Sequence, residues 1–568
     1  MSKIIEIDIK NYRGIKSFSQ KFSSNVVCLI GRGDSSKTTV LEAIKAILSP
    51  RWNHAFYDTD FYQLDTSDPI EIVISLTDIP DALKTEGKFG LYLRAVDAEG
   101  NIADDLGDED SAVLTIKLTV DHTLEPTWHV ITGRDQEPKE IKQGDRGKLN
   151  CFMISDYLDS HFSWGQGNPL YSLLNTGEFD GERNKHVLEA MREAKVKLDD
   201  ESFTYLAIIT DKIKSQAAGF GLGLDNINST IDFKDISISE GKVSLHDGKV
   251  PFRLMGKGSR RIASIAIQTA VAEGGGIALI DELEQGLEPD RVRQIVRNLK
   301  DNGSGQVIIT THSREVITEL SSKDLVLLVA NKVSGEIVSK NLKIQDDILQ
   351  GVIRACPEAF FAKKVIVCEG ATEVGICRAL DKFRREMGND QLSLKDCAYV
   401  DGAGHSFTER ANNIKDAGID TAAFCDSDRD EELNPSKDVL KNNAIEIYDC
   451  DDKNKIEQQV FKDLPWEAVL ELIEYAKEAR NLSDDQLRES VNAKYLKGTL
   501  TVDWIDNIGD TPELREALAG ASSLKKREWF KRIDHGQKLG QIIFKYFDQI
   551  DGKKLRQTLQ GISDWVDS

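Results

Sequence analysis

Four acidic residues late in the chain are spaced for metal chemistry. "KKVIVCEGATEVGICRAL" (Lys363–Leu380) reads as a strand, a turn and a helix. Glu369 ends the strand and Glu373 follows one helical turn later, so both carboxylates can face one point. "AAFCDSDRD" is a second apolar strand, ending in Asp426-Ser427-Asp428. Alternate residues at a strand end converge on an ion once the chain turns. Hard oxygen ligands of this kind favour Mg²⁺ or Mn²⁺. Two such ions would activate a water and stabilise the leaving oxygen in phosphodiester cleavage.

A second group of residues could bind a nucleotide. "GRGDSSKTTVLEAI" (Gly31–Ile44) departs at one position from the phosphate-loop pattern G-x-x-x-x-G-K-[ST], because Ser36 stands where the second glycine belongs. In such a loop, backbone N–H groups and the following helix N-terminus cradle phosphates. Gly31 and Gly33 give the loop its freedom, and Asp34, Ser35, Ser36 and Thr39 complete it. Lys37 would reach the β- and γ-phosphates, and the Thr38 hydroxyl would bind Mg²⁺. Downstream, "IALIDELEQGLEP" (Ile277–Pro289) is an apolar strand ending in Asp281-Glu282. That is a Walker B pattern, in which Asp281 orients Mg²⁺ and Glu282 polarises the attacking water. Before it stands the glycine-rich "LMGKGSRR" (Leu254–Arg261), opening a helix. After it, "VIITTHS" puts His312 at a strand end, where it could sense the γ-phosphate. Singly these are ordinary turns and strand ends. Their order and spacing carry the reading.

The elements that must position these residues are legible. Residues 3–10, KIIEIDIK, alternate as a half-buried strand does, and NVVCLI (25–30) reads as a buried strand. The loop follows at once, and TVLEAIKAIL has helical spacing. From about Asp68 to Thr132 the chain is strand-rich, and from about Leu149 to Asp225 largely helical. A further unit opens near Phe361 with "KKVIVCEG", and the tail after about Pro465 is mostly helical.

The 568 residues are too many for one core, and alternating strands and helices make α/β the expected class. A net charge of −22 argues mildly against nucleic-acid binding, although a local basic groove or bound metal reverses the sign where contact occurs. The eight cysteines form no C-x-x-C pair, so no zinc ribbon or disulfide framework is indicated, and free thiols fit a reducing cytoplasm. No signal region or membrane-length apolar run is seen, so no membrane partner is expected.

The first constellation resembles the ABC-type ATPase heads of the SMC and RecF group, down to the opening "IKNYRGIKSF". By that resemblance Arg13 lies near the phosphates, and two heads sandwich ATP. Gly256, Lys257, Gly258 and Ser259 would then cap the partner's nucleotide. Gly256 stands where the group's signature serine is usual, a second departure beside Ser36. The second constellation resembles the Toprim fold of topoisomerases, primases and certain nucleases. "YVDGAGH" (Tyr399–His405) matches that fold's intermediate strand and glycine turn, and "NKIEQQVFKDLP" offers Glu457 as a further carboxylate.

A head followed by Toprim resembles the OLD (overcoming lysogenisation defect) family of ATPase-nucleases, over nearly the whole chain. The resemblance implies head portions at 1–148 and 246–350, a mostly helical dimerisation insert at 149–245, and a Toprim nuclease domain at 356–568 with a helical insertion at about 466–522. It implies ATP with one Mg²⁺, two Mg²⁺ or Mn²⁺ at the Toprim site, DNA as substrate, and a homodimer through head and insert that can enter a larger assembly. It also implies a role in anti-phage defence. The "GRGDSSKTT" loop is most similar to retron-associated effectors, which would make a reverse transcriptase with its RNA–DNA product a partner. A late lysine assists the metal site in this family; Lys531 and Lys526 both qualify within "SLKKREWFKRIDHGQKLG". Trp529 and Phe530 read as core residues. The competing reading is an ATP-switched DNA clamp with Toprim as scaffold, although a scaffold needs no converging carboxylates. A topoisomerase lacks its tyrosine-bearing cleavage domain here, and a primase its zinc motif.

Overall fold

The computed structural model describes residues 2–51, 54–97, 100–104, 111–155, 159–162, 168–174, 193, 245–302, 305–331, 334–342, 346–525 and 527–568. They divide into two compact units, Met1–Val27 with Thr38–Thr310, and Cys28–Lys37 with Thr311–Ser568. Most of the expected helical insert at 149–245 lies outside the described residues. Of what is described there, Cys151–Ile154 is a strand rather than helix and Pro169–Leu174 a short helix.

The first unit holds an antiparallel sheet in which Lys3–Tyr12 lies between Ile15–Lys21 and Ile70–Thr77, followed by Ser111–Val120. The alternation read in KIIEIDIK is its cause: Ile7 and Ile9 are fully buried, and in register with them Ile74 and Ile72 are too. The unit also contains three parallel strands, Cys151–Ile154, Ile277–Ile280 and Gln306–Thr310. Every residue of Ile277–Ile280 and Gln306–Thr310 is buried, which is why they read as unbroken apolar runs. The helix Lys257–Glu273 precedes the Ile277 strand.

In the second unit Cys28–Ile30, the end of strand Val26–Ile30, runs parallel to Leu325–Ala330, and Ile337–Asn341 returns antiparallel beside it. A separate four-stranded sheet follows, all parallel, in the order Cys397–Asp401, Lys364–Cys368, Asp420–Phe424, Glu446–Tyr448. Cys368 is the register partner of Phe424, so the residues after the two central strands emerge side by side. The tail is helical as expected, and Trp529 and Phe530 are core residues. All eight cysteines are buried, and none is in a disulfide. Among the described residues no helix is long and apolar enough to cross a membrane.

One crossing in this unit is unusually close. Helix Ala371–Glu386 meets helix Ile533–Lys545 at Gly375, where an added Cβ would fall 2.4 Å from the Gln537 backbone nitrogen. Gly536 is equally tight against the Thr372 carbonyl oxygen at 2.5 Å. The crossing fixes both the Glu373 helix and the segment carrying Lys531. Gly375→Val should therefore destabilise this unit by about 3 kcal/mol, since backbone rather than a flexible side chain has to move. Urea denaturation checks this, and an unchanged midpoint would contradict the geometry.

Candidate functional site

The phosphate loop is built by close approach. Gly31 has φ +140°, and a Cβ there would sit 2.4 Å from the Leu328 carbonyl oxygen, so only glycine lets the loop leave its strand beside Leu325–Ala330. Gly33 has open space around it and a conformation that any residue can adopt. Asp34 and Ser36 both take φ +60°. The Ser36 value explains why glycine is usual at that position, since a left-handed L-residue costs about 1–2 kcal/mol. Ser36→Gly is expected to raise stability by up to about 1 kcal/mol, because the left-handed strain is present without nucleotide. Urea denaturation reads this, and a lowered midpoint would contradict it. Lys37 is buried, and its ammonium donates to the carbonyl oxygens of Gly31 (3.0 Å) and Arg32 (2.9 Å) and to Ser35 Oγ (3.2 Å). The loop thus holds the lysine in place by its own oxygens.

In the first unit, Thr38 Oγ1 donates to Asp281 Oδ1 at 2.9 Å. The two residues expected to share a magnesium ion are therefore already in contact. Two residues missed in the sequence complete this cluster. Thr310 Oγ1 donates to Asp281 Oδ1 (2.6 Å) and accepts from the Glu282 N–H (2.8 Å). Arg261, buried on the signature helix, donates to the backbone carbonyls of Asp281 and Glu282, the latter at 2.9 Å. Glu282 itself has φ +46°, a left-handed conformation held from both sides by these bonds. The "SRR" run and the strand-end threonine were visible, but nothing local says that they meet Asp281-Glu282.

Gly256 caps the helix Lys257–Glu273, and Gly258 faces the Gly286 carbonyl oxygen, 3.1 Å from where its Cβ would be. Ser259 lies in the first turn. Arg13 engages carboxylates in this structure, pairing with Asp60 (2.8 Å) and Glu42. In the second unit His312 lies near the Phe361 ring, with centroids 6.3 Å apart.

The four-stranded parallel sheet brings Glu369 and Asp426 together at the C-terminal ends of its central strands, where ligands of open parallel sheets bind. Glu369 Oε2 accepts from the Asp426 N–H at 2.9 Å, so the two strand ends are tied directly. Asp426 Oδ1 accepts from the Ile456 N–H at 2.7 Å, and Glu373 Oε2 from the Gly370 N–H at 2.9 Å. The expected glycine turn fixes the Glu369 strand: Gly402 N–H donates to the Cys368 carbonyl oxygen (2.6 Å) and Gly404 N–H to that of Glu369 (2.7 Å). Asp428 stands 3.4 Å from Lys455 Nζ and 3.6 Å from Arg429 Nε. Glu373 and Glu457 are 4% and 2% exposed.

These carboxyls are strained electrostatically. Burial, then the charge of Asp426, pushes Glu373 well above the usual carboxylate range. Burial, then Glu457 and Glu369, pushes Asp426 up to about 8. Burial raises Glu457 too, opposed by the charges of Lys531 and Lys455. Lys531 is thus among the charges that act on Glu457, whereas Lys526 lies outside the described residues. Among the described residues no group of three or more His, Cys, Asp or Glu stands close enough together to hold a metal ion. The donor set is nonetheless all oxygen, and carboxylates that raise one another's pKa gather negative charge that a divalent cation would relieve.

Comparison with known proteins accords with this division of labour. Residues 360–428 match the "Overcoming lysogenization defect protein-like, TOPRIM domain" model. Residues 2–123 match the "AAA ATPase domain" model, and residues 160–318 the "AAA domain, putative AbiEii toxin, Type IV TA system" model. The chain joins an ATPase region to an OLD-like TOPRIM domain. Such domains imply use of a nucleotide and a divalent metal. No curated protein matches the sequence. Solved structures with similarity include an Smc head bound to the C-winged helix domain of ScpA, at 13% identity over 60% of this chain and 98% of that one, with a TM-score of 0.36. The recombination mediator RecF is similar at 13% identity over 60% and 98% of the two chains, with a TM-score of 0.31. The SMC head of Thermotoga maritima is 12% identical over 60% of this chain and 100% of its own, with a TM-score of 0.28.

Proposed function

We propose that the chain is a divalent-metal-dependent DNA endonuclease whose TOPRIM site is regulated by an ABC-type ATP-binding head, acting in anti-phage defence. One observation carries the nuclease reading. Glu369 and Asp426 emerge together from two adjacent parallel strands, with buried Glu373 and Glu457 acting on them electrostatically. Glu369, Glu373, Asp426, Asp428 and Glu457 would hold two Mg²⁺ or Mn²⁺ ions. When bound, the ions supply a water nucleophile at neutral pH and charge stabilisation at the leaving oxygen. Lys531 would grip the scissile phosphate. Backbone N–H groups of Gly370, Asp426 and Ile456 hold the carboxylates in orientation before substrate arrives. A homodimer through head and insert, and a reverse transcriptase with its RNA–DNA product as partner, belong to the same proposal and rest on sequence resemblance.

Regulation by the head is supported inside the second unit. Arg32, within the phosphate loop, pairs with Asp396 at 3.0 Å and donates to the Ser393 carbonyl oxygen at 3.2 Å. Asp396 also pairs with Lys363 at 2.8 Å. Both partners directly precede TOPRIM strands, Cys397–Asp401 and Lys364–Cys368. A phosphate drawing on Arg32 would therefore pull on the strands that carry Glu369 and the glycine turn. The test is DNA cleavage in Mg²⁺ or Mn²⁺ with and without ATP, by wild type and Lys37→Ala. ATP is expected to change the wild-type rate and leave that of Lys37→Ala unmoved. Identical responses of the two proteins would sink the regulatory reading.

A further inference from the structure

Behind the Asp426-Ser427-Asp428 turn lies a lysine that no motif points to. Lys437 opens the short helix Lys437–Asn442, yet is only 7% exposed. Its Nζ meets four oxygens: Asp430 Oδ1 at 2.8 Å, the Asp426 carbonyl at 2.9 Å, Ser427 Oγ at 3.2 Å and Asp449 Oδ2 at 3.2 Å. An ammonium has three protons, so this one is saturated. Two of these four oxygens belong to carboxylates, those of Asp430 and Asp449, which compensate the buried ammonium.

We propose that Lys437 is a positioning residue for the TOPRIM metal site, its ammonium fixing the peptide between the two acidic residues so that Asp426 and Asp428 project together. Two observations set this apart from an ordinary buried ion pair. Asp430 and Asp449 take two of the three ammonium protons, and the third is directed to the turn itself, where the Asp426 carbonyl and Ser427 Oγ accept it. The turn is also anchored on its other flank, where Ser427 N–H donates to the Asn454 carbonyl oxygen (2.9 Å) and Ser427 Oγ to that of Cys450 (3.1 Å). Lys437 closes the remaining side. It also puts a permanent positive charge next to a site that collects negative charge. The inference rests on the metal-dependent nuclease reading above.

The experiment measures Mn²⁺ binding directly, by electron paramagnetic resonance, on the full chain. Lys437→Met is compared with Lys554→Met. Lys554 pairs with Asp449 at 3.0 Å from the last helix and has no bond to the turn, so its loss weakens the same buried network without releasing the turn. Lys437→Met is expected to weaken Mn²⁺ binding by about 10- to 100-fold, the usual loss when a partner behind a ligand is removed. The Mn²⁺ concentration for half-maximal cleavage should rise in step, while the rate at saturating Mn²⁺ largely recovers. Lys437→Gln keeps a donor for the Asp426 carbonyl and should lose less; it also serves if Lys437→Met fails to fold. Lys554→Met should lower thermal stability and leave Mn²⁺ affinity within twofold. If folded Lys437→Met or Lys437→Gln binds Mn²⁺ as wild type does, the lysine is structural only and the proposal falls. Wild type that binds Mn²⁺ but cuts no DNA would refute the nuclease reading while the binding comparison still decides the role of Lys437.

Discussion

Asp426→Asn is expected to lower the single-turnover rate of DNA cleavage by at least about a thousandfold, roughly 4 kcal/mol of barrier, with the fold intact. The substitution is nearly isosteric. The amide oxygen can still accept from the Ile456 N–H, and the backbone N–H of residue 426 can still donate to Glu369. What disappears is one negative charge at the point where two strand ends meet. Glu369→Gln should do the same from the neighbouring strand, because Glu369 Oε2 is bonded to the Asp426 amide and the two carboxylates serve one centre. Far-ultraviolet circular dichroism controls for folding. A folded Asp426→Asn protein that cuts within tenfold of wild type would remove Asp426 from the site.

Metal-free protein is expected to lose stability as pH rises from about 4 toward 8. The direction follows from Asp426, which burial and neighbouring carboxylates push up to about 8 in the folded chain from an ordinary 3.8. Between those values the folded state keeps a proton that the unfolded state has released, so raising the pH favours unfolding, by up to about 1.4 kcal/mol per pH unit for one group. Stability from this group is complete below the unfolded value and gone above the folded one. Glu373 and Glu457 are shifted in the same direction and add to the effect. Mg²⁺ favours the ionised carboxylates and should restore the melting temperature at pH 8. Thermal melts at pH 6 and 8, with and without Mg²⁺, read this directly. Asp426→Asn isolates the contribution, since its metal-free stability should depend less on pH and exceed wild type at pH 8. Equal pH dependence in the two proteins would contradict the assigned burial of Asp426.

The acidic site was largely legible because its signal is local. A buried parallel strand reads as an apolar run, and an acid just beyond it emerges near the strand's C-terminal end; Glu369 follows its strand directly and Asp426 one residue later, and the fold makes the strands neighbours. The core placement of Trp529 and Phe530 was legible from residue type, as two large aromatics in an otherwise basic stretch. Strand Cys151–Ile154 was not, because its burial comes from Ile277–Ile280, far along the chain, and its four residues stand within a segment of helical pattern. Lys437, Arg261 and Thr310 share another cause. Each acts on backbone or carboxylate groups brought to it by the fold, and a lysine, an arginine or a threonine seen alone in sequence is most simply read as surface or strand residue. Ser36 was legible as a departure from pattern. Only the backbone shows its left-handed cost, and that the departure leaves Gly31, Ser35 and Lys37 in a closed loop.

The most direct measurement is plasmid cleavage by purified protein in Mg²⁺ or Mn²⁺, each with and without ATP and with excess chelator. Glu369→Ala and Asp426→Ala, purified identically, run beside wild type. The account predicts cleavage by wild type alone, abolished by the chelator and absent in both variants. Equal cleavage by all three proteins, or an inert wild type in both metals with and without ATP, would contradict it.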